Sequence, residues 1–545
     1  MISVRVCSAI ALGFWLACFS GGAPVAFAAG GSVSNQVVDL KLNDYLQAVL
    51  QHNQTLQAQM FGAESSRRKA KGEYGAFEPQ LALSYAREAN RRTNSVEQQA
   101  QQGGQAFFDE RNNIYDTALE TLLPSGGKVR LGYTLSDLDN NVNPYGNIFT
   151  QTNNVYTKQY QTFVGASFRQ PLLKGGGFGA TLAQLRLAAA DSEIGFQQYR
   201  RQLMLTVAQA ENAYWTLYFT QEQLGFYDRS VAVAQGVLAD SQQKVKAGRG
   251  AELDVMEARS GLALRQTKRN EALQNYYDAV NNLQSLAGIS PAPILAGPDE
   301  PGFRAVDAPP ETNAVMPYTD GFASALSHNP DFLIQKQKLR QEELKLGVAR
   351  NELLPELDFK AAYGYNGLGA TPADSWDVAQ SQDFPSWSVG LELTIPLGGN
   401  IKGRNNLSSA KMSLRQAYSA LTGTQIEIAN RLKSAIRKTT AWHDSIQSYQ
   451  MVVQYSEELL QTDVARLKAG VVEGRKVLEV EADLLDARQN LVNALVQYQQ
   501  SELQVELASG TLLSSRDLDV TREQLKQETA GLVRQRQAEV SHLSN

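Results

Sequence analysis

The chain has 545 residues, room for several cores, with 51 Lys and Arg against 56 Asp and Glu for a formal net charge of -5. That balance, with no concentrated basic stripe in the linear sequence, argues against a nucleic-acid partner. The two cysteines, Cys7 and Cys18, both fall near the start, so neither disulfides nor thiolate metal sites are expected beyond it.

The opening reads as a secretory signal over residues 1–28: Arg5, a largely apolar run from Val6 to Phe19, then Ala26-Phe27-Ala28 with small residues at the positions a signal peptidase inspects. Cleavage after Ala28 would leave a mature chain without cysteine. No later run approaches 18 apolar residues, so an α-helical membrane span is not expected, whereas the short alternating strands of a β-barrel remain open.

Val37 to Gly75 is helix-like, with Leu46, Val49, Leu50, Leu56 and Met60 on one face. Leu81, Leu83 and Tyr85 then alternate as a strand does. Arg91 to Asn113 reads as an exposed polar loop. Two further strands, Ile114 to Leu122 and Lys128 to Ser136, flank Pro124-Ser125-Gly126-Gly127, and Asp137 to Asn154 reads as a second polar loop. A strand with Tyr160, Thr162, Val164, Ala166 and Phe168 on one face ends at Pro171 and Gly175 to Gly177. From near Ala180 the pattern is helical up to the reversal Lys246-Ala247-Gly248, a helix of about 100 Å.

Around that reversal apolar residues recur at seven-residue steps: Val231, Leu238 and Val245 before it, Val255 and Leu262 after it, which favours helix-on-helix packing. The pattern then repeats. Lys468-Ala469-Gly470 lies 222 residues further on, and a glycine follows 40 residues after each reversal, at Gly288 and Gly510. His52-Asn53 matches His328-Asn329 and Pro79 matches Pro355, both at an offset of 276. Ile289 to Pro317, with seven prolines, is the connector. The expected organisation is a signal (1–28), a first repeat (29–288), a linker (289–317), a second repeat (318–513) and a polar C-terminal tail (514–545). Each repeat reads helix, strands, long helix, reversal, helix.

In the second repeat Leu357, Phe359, Ala361, Tyr363 and Tyr365 share one strand face while Glu356, Asp358 and Lys360 share the other. Trp387 to Ile395 alternates likewise against Glu392. Such two-faced hairpins are unstable alone. A barrel with lipid outside and water inside covers both faces, and several chains must contribute to close it. Glu356, Asp358, Lys360 and Glu392 are the expected lumen residues.

The motifs after the reversals, Lys246-Ala-Gly-Arg-Gly-Ala-Glu-Leu-Asp-Val-Met-Glu-Ala258 and Lys468-Ala-Gly-Val-Val-Glu-Gly-Arg-Lys-Val-Leu-Glu-Val480, and the junctions Gln170-Pro-Leu-Leu-Lys-Gly175 and Ile395-Pro-Leu-Gly-Gly399, resemble those of the TolC-like outer-membrane efflux proteins. The resemblance runs from about Val37 to Leu513. It implies a mainly α fold with a membrane β-barrel: duplicated halves forming a trimeric helical tunnel capped by a shared barrel, to which a typical member gives four strands per chain. It also implies a cell outer-membrane location with a periplasmic extension. The implied partners are two further copies, outer-membrane lipid, a periplasmic adaptor and an inner-membrane transporter, either an efflux pump or an ABC exporter. The expected function is a passive exit duct for small molecules; secretion of proteins or polysaccharide by the type I route, and a non-channel coiled-coil scaffold, are the alternatives.

Gly248 and Gly470 are expected at the helix reversals. By the resemblance, Lys246, Arg249, Leu253, Lys468, Val471, Val472 and Val477 are candidates for adaptor contact. Asp240, Asp254, Asp463 and Glu473 would form acidic rings at the periplasmic gate. The family's aspartate before Val-Leu is kept at Asp254 but replaced by Lys476 in the second repeat. The four histidines form no catalytic set, no nucleotide loop is present, and no cofactor or metal is expected. The first repeat carries 51 extra residues between Pro79 and Pro171. They are read as an external loop, with an added hairpin that would widen the barrel from 12 to 18 strands as the alternative.

Overall fold

The structure, a computed structural model, describes residues 38–101, 104–141, 157–288, 303–310, 316–469 and 471–543. The expected signal, linker residues 289–302 and 311–315, and Gly470 lie outside the described residues. The chain opens with β1 (Val38–Leu40), α1 (Leu42–His52) and α2 (Gln54–Gly72). Then come β2 (Gln80–Thr93), α3 (Val96–Gln101), β3 (Phe107–Leu122), β4 (Lys128–Asn140) and β5 (Thr157–Pro171). A short α4 (Gly177–Thr181) precedes the long α5 (Ala183–Lys246), which reverses into α6 (Glu252–Leu286). After β6 (Phe303–Ala305) the second repeat runs α7 (Tyr318–His328), α8 (Pro330–Glu352), β7 (Glu356–Gly369), α9 (Pro372–Gln380), β8 (Pro385–Thr394), α10 (Ile401–Lys468) and α11 (Gly474–Ser509). The segment expected as a polar tail forms α12 (Leu512–Ser515) and α13 (Arg522–Leu543).

No proline interrupts α5 or α10, of 64 and 68 residues, so each rises about 100 Å. Their inner stripes keep heptad spacing: Leu203, Val207, Ala210, Tyr214 and Leu217 on α5 are all buried. Around them collects the main core, with Tyr45, Leu46 and Val49 of α1, Leu283 of α6, Leu503 of α11, and Leu512 and Leu513 of α12. The parallel pair β1–β6 closes this core at mid-height. The Tyr214 hydroxyl donates to the Leu40 carbonyl at 3.0 Å and accepts from the Asp307 amide at 3.1 Å.

The shorter helices flank the long ones: α2 and α6 pack on α5, and α8 and α11 pack on α10, with α8 and α11 also touching α5. Two asparagines make the end-to-end joints. Asn53 caps α2 through Leu56 N–H and donates to Leu286 O at 3.2 Å. Asn329 caps α8 through Asp331 and Phe332 N–H and donates to Ala508 O at 3.1 Å. The matched His-Asn pairs and the matched glycines thus meet in space.

All strands except β1 and β6 form one antiparallel sheet in the order β2-β3-β4-β5-β7-β8. This corrects the reading of the first repeat's excess. The extra residues supply the hairpin β3–β4, so the described residues place six strands in this sheet, four of them from the first repeat. The expected loop at Arg91 to Asn113 contains the upper ends of β2 and β3, with α3 between them. Polar side chains on both faces hid the alternation there, while pairing from Thr93–Phe107 downward satisfies the backbone. Arg91 and Arg92 stack over the rings of Phe107 and Phe108 at 4.1 and 4.9 Å. In the second expected loop, β4 continues to Asn140, and residues 142–156 lie outside the described residues.

Candidate functional site

Two parts of the molecule carry the chemistry: the sheet and the helical tip. Register fixes the sheet's faces, because side chains alternate. One face carries Leu81, Leu83, Tyr85, Tyr115, Leu119, Val129, Leu131, Tyr133, Leu135, Val164, Phe168, Phe359, Tyr363, Val389, Leu391 and Leu393. Most of these are exposed in the single chain. The band from Val129 to Leu135 is about 20 Å long at about 3.3 Å per residue, near the height of a bilayer's apolar layer. Tyrosines gather at its upper rim, with Tyr85–Tyr115 ring centres 5.1 Å apart and Tyr363–Tyr365 5.4 Å apart. Helix α9 folds back over the upper end of the band on the same face: Trp376 meets Tyr133 edge-on at 5.3 Å, and Ser375 shares a 2.8 Å hydrogen bond with Thr162. Gly367 makes room, since a Cβ there would sit 1.8 Å from the Ser375 carbonyl oxygen.

The opposite face is charged. Arg130 donates to Glu120 at 3.1 Å and to Asp116 at 2.8 Å, Arg169 to Asp358 at 2.9 Å, and Lys360 to Glu392. Glu356 sits at the lower rim and accepts from Lys174 at 2.6 Å. All four lumen candidates therefore share one face and are ion-paired. Their cationic partners, and the whole Asp116–Arg130–Glu120 group, were not singled out from the sequence. Alternation of Arg130 with Val129 and Leu131 held that signal. Among the described residues, no helix is long and apolar enough to cross a membrane.

At the tip, α5 ends in a glycine cap. Gly248, at φ +70°, donates to Val245 O at 2.9 Å, and Arg249 N–H reaches Lys244 O at 2.8 Å. The second reversal repeats the outer bond, Val471 N–H to Arg466 O at 2.9 Å. Val237, Ala258, Leu467 and Val477 pack as a four-helix cluster behind the turns. Val477, an adaptor candidate, is fully buried there, while Lys246, Arg249, Leu253, Lys468 and Val471 are exposed and Val472 is half-buried.

The four tip acids differ in setting. Asp240 pairs with Lys244 at 2.8 Å. Asp254 is exposed and accepts from the Ala251 amide at 3.1 Å, closing the first turn of α6. Asp463 is buried beside Arg466 at 3.4 Å. Glu473 is exposed at the head of α11, and Lys476 pairs with Glu479 at 3.2 Å. Sequence reasoning missed one ion pair here. Arg265 of α6 and Glu481 of α11 meet at 2.6 Å, with side chains 11% and 7% exposed. Lys244 adds a second tie across the repeats, donating to Leu467 O at 3.2 Å.

Residues 322–511 match the sequence pattern of the outer membrane efflux protein family. The chain is 24% identical to the outer membrane protein TolC of Vibrio cholerae over 367 residues, covering 65% of this chain and 78% of that protein. It is 22% identical to the proteases secretion protein PrtF of Dickeya chrysanthemi, covering 66% and 75%. In fold it is similar to the CmeC outer membrane channel of Campylobacter jejuni, with a TM-score of 0.60 at 16% identity, covering 90% of this chain and 89% of that one. It is also similar to the MtrE outer membrane channel of Neisseria gonorrhoeae, with a TM-score of 0.55 at 15% identity and coverage of 90% and 95%.

Proposed function

We propose that the chain is a member of the TolC-like outer-membrane efflux protein family, as its match to the outer membrane efflux protein pattern and its similarity to TolC support, and that three copies share one β-barrel and one helical tunnel. It is an outer-membrane protein with a periplasmic helical extension, and it serves as the passive exit duct of a tripartite efflux system, not as an enzyme. The observation that carries this reading is the two-faced sheet. An exposed apolar band with a tyrosine rim needs lipid, and a charged reverse face needs water. Each need is met only when the sheet closes. Exposed apolar side chains on the lower parts of the long helices support the same assembly: Met451, Tyr455 and Leu459 on α10, and Met256 and Leu264 on α6.

In this reading a periplasmic adaptor docks on the reversals through Lys246, Arg249, Leu253, Lys468, Val471 and Val472, and an inner-membrane transporter supplies the energy. Tip acids line the closed end. Similarity to PrtF favours one second reading, in which the cargo is a secreted polypeptide. Native mass spectrometry of the detergent-purified protein is expected to give a trimer, and planar bilayers a discrete conductance. A detergent-free monomer without conductance would reject the duct. Comparing drug susceptibility with the secreted proteome of a deletion strain separates the two cargoes.

A further inference from the structure

Both outer strands of the sheet are bare. Every residue of β2 and of β8 is exposed, and among the described residues neither strand has an outer partner. A long, apolar, unpaired edge is a template for another strand. The two edges fit each other. Strands alternate in direction through the six-stranded sheet, so β2 climbs away from the helices and β8 descends toward them. The β8 edge of one copy can therefore pair antiparallel with the β2 edge of the next. Their faces agree as well: Leu81, Leu83 and Tyr85 would continue the apolar band of Val389, Leu391 and Leu393.

The added hairpin β3–β4 belongs to the wall. It is paired along its length with β2 on one side and β5 on the other. Its outward residues Tyr115, Leu119 and Leu131 extend the same band. Its lower turn is built into the helix junction, where Gly177 N–H donates to Ser125 O at 2.9 Å and the Gln170 side chain donates through Nε2 to the same oxygen at 2.9 Å. Gly126, at φ +90°, lies where a Cβ would approach the Gly175 carbonyl oxygen to 2.7 Å. A loop inserted at the outer surface needs no such seat at the sheet's base.

We infer that the barrel is an 18-stranded one closed by three β8–β2 seams, wide enough that it is not the size filter of the duct. The inference rests on the trimeric reading above. With strands about 4.8 Å apart and tilted about 40°, 18 strands enclose a backbone diameter of about 36 Å, against about 24 Å for 12. Side chains remove about 5 Å on each side, leaving a bore of about 26 Å. Two packed helices, each about 10–12 Å across, fit within it. The charged belt of Arg130, Arg169 and Lys360 with their carboxylate partners keeps that bore wet, as in other barrels of this strand number. Selection by size then falls to the helical tip, and cargo of polymer dimensions is not turned back at the membrane.

Electron cryo-microscopy of the trimer in lipid nanodiscs tests the strand count directly. The expected cross-section has 18 strands, with β3–β4 in the wall. Cysteine pairs scanned between β2 (Leu81→Cys, Leu83→Cys) and β8 (Val389→Cys, Leu391→Cys, Leu393→Cys) are expected to yield a register that oxidises to a covalent trimer. A conducting trimer with 12 wall strands and β3–β4 folded aside would overturn the inference and leave the duct standing. A monomer without conductance would overturn both.

Discussion

Gly510 and Asn329 touch at the joint where α11 ends and α8 begins: with Gly510 at φ +77°, a Cβ there would lie 2.6 Å from the Asn329 nitrogen. The first repeat has the same joint, with Gly288 at φ +65° and its Cβ position 2.8 Å from the His52 carbonyl oxygen. Gly510→Ala therefore adds a backbone collision to the strain of a left-handed residue. Strain alone is of order 1–3 kcal/mol. Gly248 at the open tip, φ +70° with nothing within 4 Å, meets the strain alone. Urea unfolding of the detergent-bound protein should show Gly510→Ala more destabilised than Gly248→Ala. Equal losses would mean that the joint relaxes and does not define the stacking.

These joints show how far the sequence could be read. The offset of 276 between His52-Asn53 and His328-Asn329 exposed the duplication, but no pattern told that each asparagine reaches a distant helix end. Helix lengths and reversals were legible because heptads and glycines are local signals. The hairpin β3–β4 was legible as two strands, Ile114 to Leu122 and Lys128 to Ser136, yet its place in the sheet was not. That place is set by pairing with β2 and β5, which one sequence does not encode in a readable period. That Glu356, Asp358, Lys360 and Glu392 share one face was read from alternation in β7 and β8. Arg265–Glu481 was not, because two charges 216 residues apart carry no spacing signal.

Acidity should act on the mid-height core through Glu211. Its carboxylate is buried and receives two bonds from Arg516, at 2.8 and 3.1 Å. Burial raises its pKa above the ordinary 4.5, and the pairing with Arg516 offsets only part of that rise. The folded state then takes up this proton at a higher pH than the unfolded chain does. The associated stability is fully present below about pH 4.5 and is lost as pH rises through the folded value. Melting temperature, corrected with Glu211→Gln as the non-titrating reference, should rise as pH falls from 7 toward 5. Glu528, raised by burial as well, acts in the same direction and remains in the reference. Parallel melting curves for the two proteins across that range would count against Glu211.

The tip acids should separate by exposure. Glu473 and Asp254 face solvent, whereas Asp463 is buried beside Arg466. In a trimer each neutralisation removes three charges. Glu473→Gln and Asp254→Asn are expected to lower cation preference several-fold more than Asp463→Asn, with trimer assembly kept. The asparagine at 254 still offers an oxygen to the Ala251 amide, so α6 keeps its first turn. Single-channel recording at low salt is the measurement, because screening hides exposed charge at high salt. Identical reversal potentials in all three variants would place ion selection elsewhere.

Arg265 and Glu481 join α6 and α11 just above the helical tip. Arg265 bonds through all three nitrogens: Nε and Nη2 on Glu481, at 2.9 and 2.6 Å, Nη2 also on Leu478 O at 2.7 Å, Nε also on Ser230 Oγ at 3.1 Å, and Nη1 on Gly261 O at 3.3 Å. A Cβ on nearby Gly261 would lie 2.9 Å from Leu478 Cδ1, so α6 and α11 run close together here. Removing one partner leaves a nearly buried charge unpaired, a loss of about 3–5 kcal/mol in comparable sites. Replacing both partners with apolar residues of similar size, Arg265→Met with Glu481→Leu, removes the charges together and should cost much less. If the pair holds the coils together at the closed end, Glu481→Ala alone should raise resting conductance, and the double variant should return it toward the native value. A double-mutant cycle on conductance and on unfolding measures the coupling. Strong coupling in unfolding with none in conductance would make the pair a brace for the helices and not a hold on the gate.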